Sequence, residues 1–238
     1  MRILLLGYGK MGRSIESIAL GRGHEIVGKI DMNNAGDLDS LDASKVDVAI
    51  EFSQPDAAFG NISKCLEKGI PVVSGTTGWL DKKPEIEKLC KKKGGAFFYA
   101  SNFSIGVNIF FKVNAFLAKM MDAYPEYDVK VDEIHHTEKK DAPSGTAITL
   151  AEGVIDNMVR KQYWQNENVD KDEALSILSY REPDVPGTHT VTYHSEIDDI
   201  VIHHAAHTRK GFALGAVLVG EWLPAQKGVK TMDDFLKL

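Results

Sequence analysis

Residues 1–12 read Met-Arg-Ile-Leu-Leu-Leu-Gly-Tyr-Gly-Lys-Met-Gly. The apolar run Ile3 to Leu6 has the length of a buried strand, and a helical pattern follows from about Met11 to Leu20. Between them lies a G-x-G-x-x-G turn made by Gly7, Gly9 and Gly12. The first glycine permits the tight turn, the second lets backbone approach a pyrophosphate, and the third lets helix meet strand. Lys10 and Met11 open the helix, where free N–H groups face phosphates. The next strand, Glu25 to Asp31, ends in an acidic residue about 20 positions past the glycines, where ribose hydroxyls are held. The stretch points to a dinucleotide site.

The alternation continues outward. Strand patterns at 46–52, 72–73 and 96–100 are separated by helical ones at 56–67 and 83–93, the signature of a parallel doubly wound sheet. After Asn102 the pattern changes. A long helix over 104–121 precedes a strand over 127–134, a helix over 144 to about 162, and three strand-like runs at 175–180, 188–195 and 200–207. That order suggests a second, α+β unit. A helix follows at 213–222, and Thr231 caps a last one over 232–238.

With 238 residues, 43% hydrophobic and 26% charged, the chain is long enough for a substantial core, and its formal charge of −6 argues against broad nucleic-acid binding. No apolar run approaches a membrane span, and a soluble intracellular protein is expected. Cys65 and Cys90 lack metal-type spacing and read as reduced, semi-buried residues.

The nucleotide choice follows from Asp31. Its carboxylate repels an adenosine 2′-phosphate, and Met32, not arginine, comes next, so NADH is favoured. NADPH is also admitted, since Lys10, Arg13 and Lys29 partly compensate. Gly75-Thr76-Thr77-Gly78 and Ser101-Asn102-Phe103-Ser104 follow later strands, at the carboxyl ends where such folds bind ligands.

Residues 133–146, Glu-Ile-His-His-Thr-Glu-Lys-Lys-Asp-Ala-Pro-Ser-Gly-Thr, carry the remaining chemistry. On a strand, His135 and His136 point to opposite faces, so one contacts a ligand while the other packs or orients the loop. Pro143 stiffens the turn and Ser144 is an N-cap. Gly145 and Thr146 then offer N–H groups and a hydroxyl suited to a carboxylate. A lysine beside such a cradle, in a chain that binds nicotinamide, suggests hydride addition followed by protonation. His203, His204 and His207 also cluster, but a strand splits them between faces, and no metal is expected.

Taken together, these residues resemble the 4-hydroxy-tetrahydrodipicolinate (dihydrodipicolinate) reductase family. The stretch 133–147 is similar to its signature E-x-H-H-x-x-K-x-D-A-P-S-G-T-A, and the likeness extends through Gly75–Gly78, Ser101–Gly106 and Arg209–Ala213. The family's usual nucleotide loop is one residue longer and ends Gly-Arg-Met-Gly, where this chain has Gly9-Lys-Met-Gly12.

The resemblance implies a Rossmann-type domain over 1–105, completed by 209–238, with a substrate and oligomerisation domain inserted over 106–208. It implies a cytoplasmic homotetramer of lysine and diaminopimelate biosynthesis that reduces a cyclic dicarboxylate to tetrahydrodipicolinate. Lys139 matches the proton donor and His135 a catalytic histidine. His136, Ser144, Gly145 and Thr146 match the substrate cradle, and Gly75 and Thr77 the loop near the nicotinamide. An aspartate or homoserine dehydrogenase on the same plan is the nearest rival. A non-catalytic redox sensor is the rival from another class, though neither a DNA-binding module nor a basic surface is visible.

Overall fold

A computed structural model describes residues 1–208 and 210–237. Arg209 and Leu238 lie outside the described residues. In chain order the elements are β1 (Arg2–Leu6), α1 (Lys10–Gly21), β2 (Glu25–Ile30), α2 (Asp37–Ser40), β3 (Val48–Glu51), α3 (Pro55–Glu67), β4 (Val72–Ser74), α4 (Lys83–Lys93) and β5 (Ala96–Tyr99). There follow α5 (Ile105–Met121), β6 (Asp128–His135), α6 (Gly145–Ile155), β7 (Tyr163–Gln165), β8 (Ala174–Arg181), β9 (Thr188–His194), β10 (Asp199–Ala205), α7 (Lys210–Trp222), β11 (Gly228–Lys230) and α8 (Met232–Leu236). They form two compact units, Met1–Ser104 with Lys210–Leu238, and Ile105–Arg209.

The first unit holds a six-stranded sheet in the order β11-β5-β4-β3-β1-β2. Every pairing in it is parallel. Side chains alternate across a strand. Ile3 and Leu5 therefore enter one core, with residues of α1 and α7, while Leu4 and Leu6 enter another, with residues of α3 and α4. Covering both faces is what lets β1 be apolar from Ile3 to Leu6. The chain reverses direction across the sheet between β1 and β3, so the glycine turn after β1 stands at the topological switch point.

Gly7 and Gly12 are fixed by space. Gly7 has φ +91° and a Cβ there would lie 2.1 Å from the Phe52 carbonyl oxygen; one on Gly12 would lie 2.3 Å from the Gly7 oxygen. Cys65 and Cys90 are buried and unbridged in the second core, and burial pushes the Cys65 thiol up to about 12. It is inert packing.

The second unit holds a five-stranded mixed sheet, β10-β9-β6-β8-β7. The inward residues Val129 and Val131 of β6, Leu175 and Ile177 of β8, and Val191 and Tyr193 of β9 pack with α5 and α6 residues in one core.

Two expectations need correction, and one strand was not foreseen. The helix beginning at Ser144 ends at Ile155, not near Gln162. Asp156 and Asn157 close it, Asn157 Nδ2 donating to the Gly153 carbonyl at 2.9 Å, and Tyr163 to Gln165 pairs with β8 instead. Strand β11 carries too few apolar residues to be read as a strand, yet it completes the edge beside β5. His136 lies just past the end of β6, so the opposite-face argument does not apply to it. No helix among the described residues is long and apolar enough to cross a membrane.

Candidate active site

In the first unit a cleft of about 340 Å³ opens over the glycine turn, lined by Gly7, Tyr8, Gly9, Asp31, Met32 and Ser53 among others. A Cβ on Gly9 would meet nothing within 4 Å. That open space above a helix N-terminus is what a pyrophosphate needs. Asp31 lies at the cleft wall, its Oδ1 accepting the Asn33 N–H at 2.8 Å, and Met32 is 91% exposed. The cleft fits a dinucleotide.

Behind the cleft lies a cluster that spacing does not reveal. Lys29 Nζ is 2.5 Å from Glu16 Oε1 and 4.7 Å from the centre of the Tyr8 ring; the Tyr8 hydroxyl donates to Glu16. Glu16 thereby matches the charge of Lys29.

A second unforeseen residue is Glu51, fully buried at the end of β3. Its Oε1 accepts from the Ser53 N–H at 3.0 Å, the Ser53 hydroxyl and the Thr76 hydroxyl at 2.9 Å, and Oε2 accepts from the Ser74 hydroxyl at 2.7 Å. Buried carboxylates persist only when so satisfied. Glu51 thus ties the loop after β3 to the loop after β4.

Thr76 is buried and its side chain is committed to this network. Gly75 must be glycine because a Cβ would lie 2.1 Å from a Phe52 ring carbon. Phe103 is 2% exposed and its ring packs on Phe52 and Phe98, at 5.3 and 5.7 Å between ring centres. Asn102 accepts the Ser104 N–H at 2.9 Å, Ser101 and Lys10 are exposed, and Met11 packs against the core.

In the second unit the 133–146 stretch wraps from the end of β6 to the start of α6. Lys139 Nζ lies 2.7 and 2.9 Å from the two carboxylate oxygens of Asp141. Arg181, at the end of β8, holds the loop from beneath. Its Nε donates to the Lys139 carbonyl at 3.3 Å and its Nη2 to the Asp141 carbonyl at 2.6 Å. His136 lines a shallow depression with Glu138 and Asp184.

Ser144 caps α6, accepting the Ala147 N–H at 3.2 Å, and its Oγ is 3.2 Å from His189 Nε2. Ser144 is 3% exposed. Of the other residues expected in the anion cradle, Gly145 is exposed and Thr146 half-buried.

Beneath the cradle lies Glu133, fully buried. Its Oε1 accepts the Ser144 N–H at 2.9 Å and the Ser179 hydroxyl at 2.7 Å. Its Oε2 faces two imidazoles, His135 Nδ1 at 3.3 Å and His189 Nε2 at 3.6 Å. Burial pushes the Glu133 carboxyl up, but contacts from His135, His189, Ser144 and Ser179 outweigh it and hold the group well below the ordinary carboxylate range. Burial lowers the His189 imidazole, with Glu133 opposing.

Sequence reading missed Glu133 and His189. The signal for His189 was there: in Thr188–His194 it alternates in phase with the apolar Val191 and Tyr193, so it belongs to the buried face. Glu133, His135 and His189 offer ligand atoms within 4.8 Å of one another, a spacing a metal could bridge. Arg181 Nη1, 4.0 Å from Glu133 Oε1, would repel such a cation. The other histidines diverge: His203 Nδ1 pairs with Thr190 Oγ1 at 2.9 Å, whereas the His204 ring stacks on Phe110.

A doubly wound parallel sheet with a dinucleotide cleft, joined in one chain to a unit carrying a lysine and an anion-ready helix start, defines a pyridine-nucleotide-dependent reductase. Residues 1–103 match the family described as "Dihydrodipicolinate reductase, N-terminus" and residues 106–236 the one described as "Dihydrodipicolinate reductase, C-terminus". The chain belongs to the dihydrodipicolinate reductase family.

It is 51% identical over 238 residues to the 4-hydroxy-tetrahydrodipicolinate reductase of Christiangramia forsetii, covering 99% of this chain and 98% of that one. To the enzyme of the same name from Archaeoglobus fulgidus it is 33% identical over the full length of both. Among solved structures, a dipicolinate-bound dihydrodipicolinate reductase from Paenisporosarcina sp. TG-14 shares the fold, with a TM-score of 0.81, 24% identity and 99% of each chain covered.

Proposed function

We propose that this chain reduces 4-hydroxy-tetrahydrodipicolinate, whose hydroxyl leaves as water to give dihydrodipicolinate, to tetrahydrodipicolinate in lysine and diaminopimelate biosynthesis, with the first unit carrying the nucleotide and the second the dicarboxylate. The observation that carries the reading is the 139–146 loop, in which an ammonium and an open helix N-terminus are held together by Arg181 and Glu133. The nucleotide, when bound, supplies the hydride. Gly145 and Thr146 receive one carboxylate of the substrate through main-chain N–H groups and the Thr146 hydroxyl. Lys139 delivers the proton to the ring carbon next to the one that takes the hydride, and Asp141 holds its side chain in place in the resting state. His135 and His136 border the substrate, His135 steadying the negative charge that develops before the proton arrives.

NADH is the favoured nucleotide. Asp31 opposes a 2′-phosphate, Met32 offers no counter-charge, and Lys29 is neutralised by Glu16. The reading carries with it a cytosolic homotetramer assembled through the second sheet, whose outer strand β10 exposes Val201 at 52%; sedimentation would report the assembly.

The test follows NADH and NADPH oxidation while a synthase forms the substrate in place from pyruvate and aspartate semialdehyde. Synthase-dependent oxidation is expected, faster with NADH. Its absence from protein shown to bind NADH would return the choice to the related dehydrogenases.

A further inference from the structure

We infer that Glu133 is a positioning residue for this reaction, acting through His135 and through the Ser144 main chain; the inference rests on the reductase reading above. The register places the three groups together. Glu133 and His135 are two apart on β6 and share its inward face, and Glu133 pairs directly opposite His189 on β9. That face is otherwise apolar, with Val129 and Val131 preceding Glu133.

Strand pairing by itself calls for no charge there, although the ionised carboxylate adds to stability. A buried ion is commonly replaceable by a hydrophobic residue of similar volume without loss of stability. The contacts of the carboxylate are selective. One oxygen fixes the N–H of Ser144 at 2.9 Å, and so the aim of the helix start that follows. The other faces His135 Nδ1 at 3.3 Å. Glu133 thus joins the proton chemistry of one end of the motif to the anion cradle at the other.

The second contact is off-line. Glu133 Oε2 and His135 Nδ1 are both buried, and neither has a well-formed hydrogen bond among the described residues. Catalytic hydrogen bonds are often long in the ligand-free enzyme and tighten around substrate. The opposite ring nitrogen, Nε2, would lie 3.0 Å from a Cβ on Gly187, so that position must be glycine to seat the imidazole. With Nδ1 donating to Glu133, the ring presents a fixed tautomer, as a buried carboxylate does for histidine in hydrolytic triads.

The experiment compares wild type with Glu133→Gln in the synthase-coupled assay, with melting temperatures alongside. The glutamine oxygen still accepts from Ser144 and Ser179, but its amide can no longer serve as acceptor for His135. Turnover is expected to fall by about 100-fold, with the Michaelis constant within about threefold of wild type and Glu133→Asp restoring part of the rate. A purely structural carboxylate would instead lower the melting temperature without this split. Turnover within about threefold of wild type would overturn the inference.

Should Glu133→Gln fail to fold, long-range ¹H–¹⁵N spectra of the wild-type imidazoles decide. His135 with its proton on Nδ1 is expected, and a bare Nδ1 would overturn the inference. A wild type without synthase-dependent activity would overturn the reductase reading, while the spectra would still test the Glu133–His135 pair.

Discussion

Lys139 Nζ sits 2.7 Å from Asp141 Oδ2, two residues along the same loop, so the expected proton donor already has its counter-ion. Asp141 is 63% exposed at its side chain and Lys139 only 20%. A substrate carboxylate can displace such a solvent-facing partner without stranding a buried charge. Lys139→Ala should lower turnover by about 100-fold or more, with the Michaelis constant changed much less, because proton donation matters most in the transition state. Steady-state kinetics check this, and near-wild-type turnover would remove Lys139 from the role.

Nucleotide choice should answer to the cleft wall. Asp31→Ala combined with Met32→Arg removes a repelling charge and adds a phosphate-binding fork. The ratio of kcat/KM for NADPH over NADH should rise by at least about tenfold, on the order of 1.4 kcal/mol. An unchanged ratio would mean that Asp31 is remote from the ribose.

The two glycines at the helix start should separate fold from binding. Gly12→Ala drives a methyl to 2.3 Å from the Gly7 oxygen and should lower stability by about 1–3 kcal/mol. Gly9→Ala meets nothing within 4 Å, so its melting temperature should hold while NADH affinity falls. Denaturation and NADH fluorescence titration of both variants report the contrast.

Acid should weaken the second unit through the buried cluster. Burial lowers the His189 imidazole from 6.5, so below that value the unfolded chain takes up a proton that the folded chain resists. Glu133, lowered from 4.5, acts in the same direction further down. Both contributions are present above the unfolded values and are lost as pH falls through the folded ones. The melting temperature should therefore drop from about pH 6.5 downward, and less steeply in His189→Asn. Equal slopes would show that His189 is not the titrating group.

What could be read from the sequence was what is local. The glycine turn lies within six residues and the 133–146 motif within fourteen, so spacing alone exposes both. Glu51 and Glu133 were illegible for the opposite reason. Glu51 accepts from Ser74 and Thr76, 23 and 25 positions away, and Glu133 from Ser179, 46 positions away, donors that only the fold brings together. Phe103 and Ser144 were legible as positions but not as orientations, because a loop residue's direction depends on what packs behind it. The overextended helix 144–162 failed on boundary chemistry, where Asp156 and Asn157 ended a run that periodicity would have continued.

The closing of the first sheet by β11 has a consequence for the nascent chain. The partner strand β5 emerges from the ribosome some 130 residues before β11 does, and α7, which fills the core under β1 and β3, follows almost as late. Until those last segments arrive, the N-terminal hundred residues present an unpaired parallel edge and an uncovered apolar face, both prone to aggregation. The inserted unit, by contrast, is contiguous and can fold while the ribosome is still at work. The 133–146 motif can thus be in place before the first sheet is closed, and the first unit is exposed to misassembly until α7 and β11 are made.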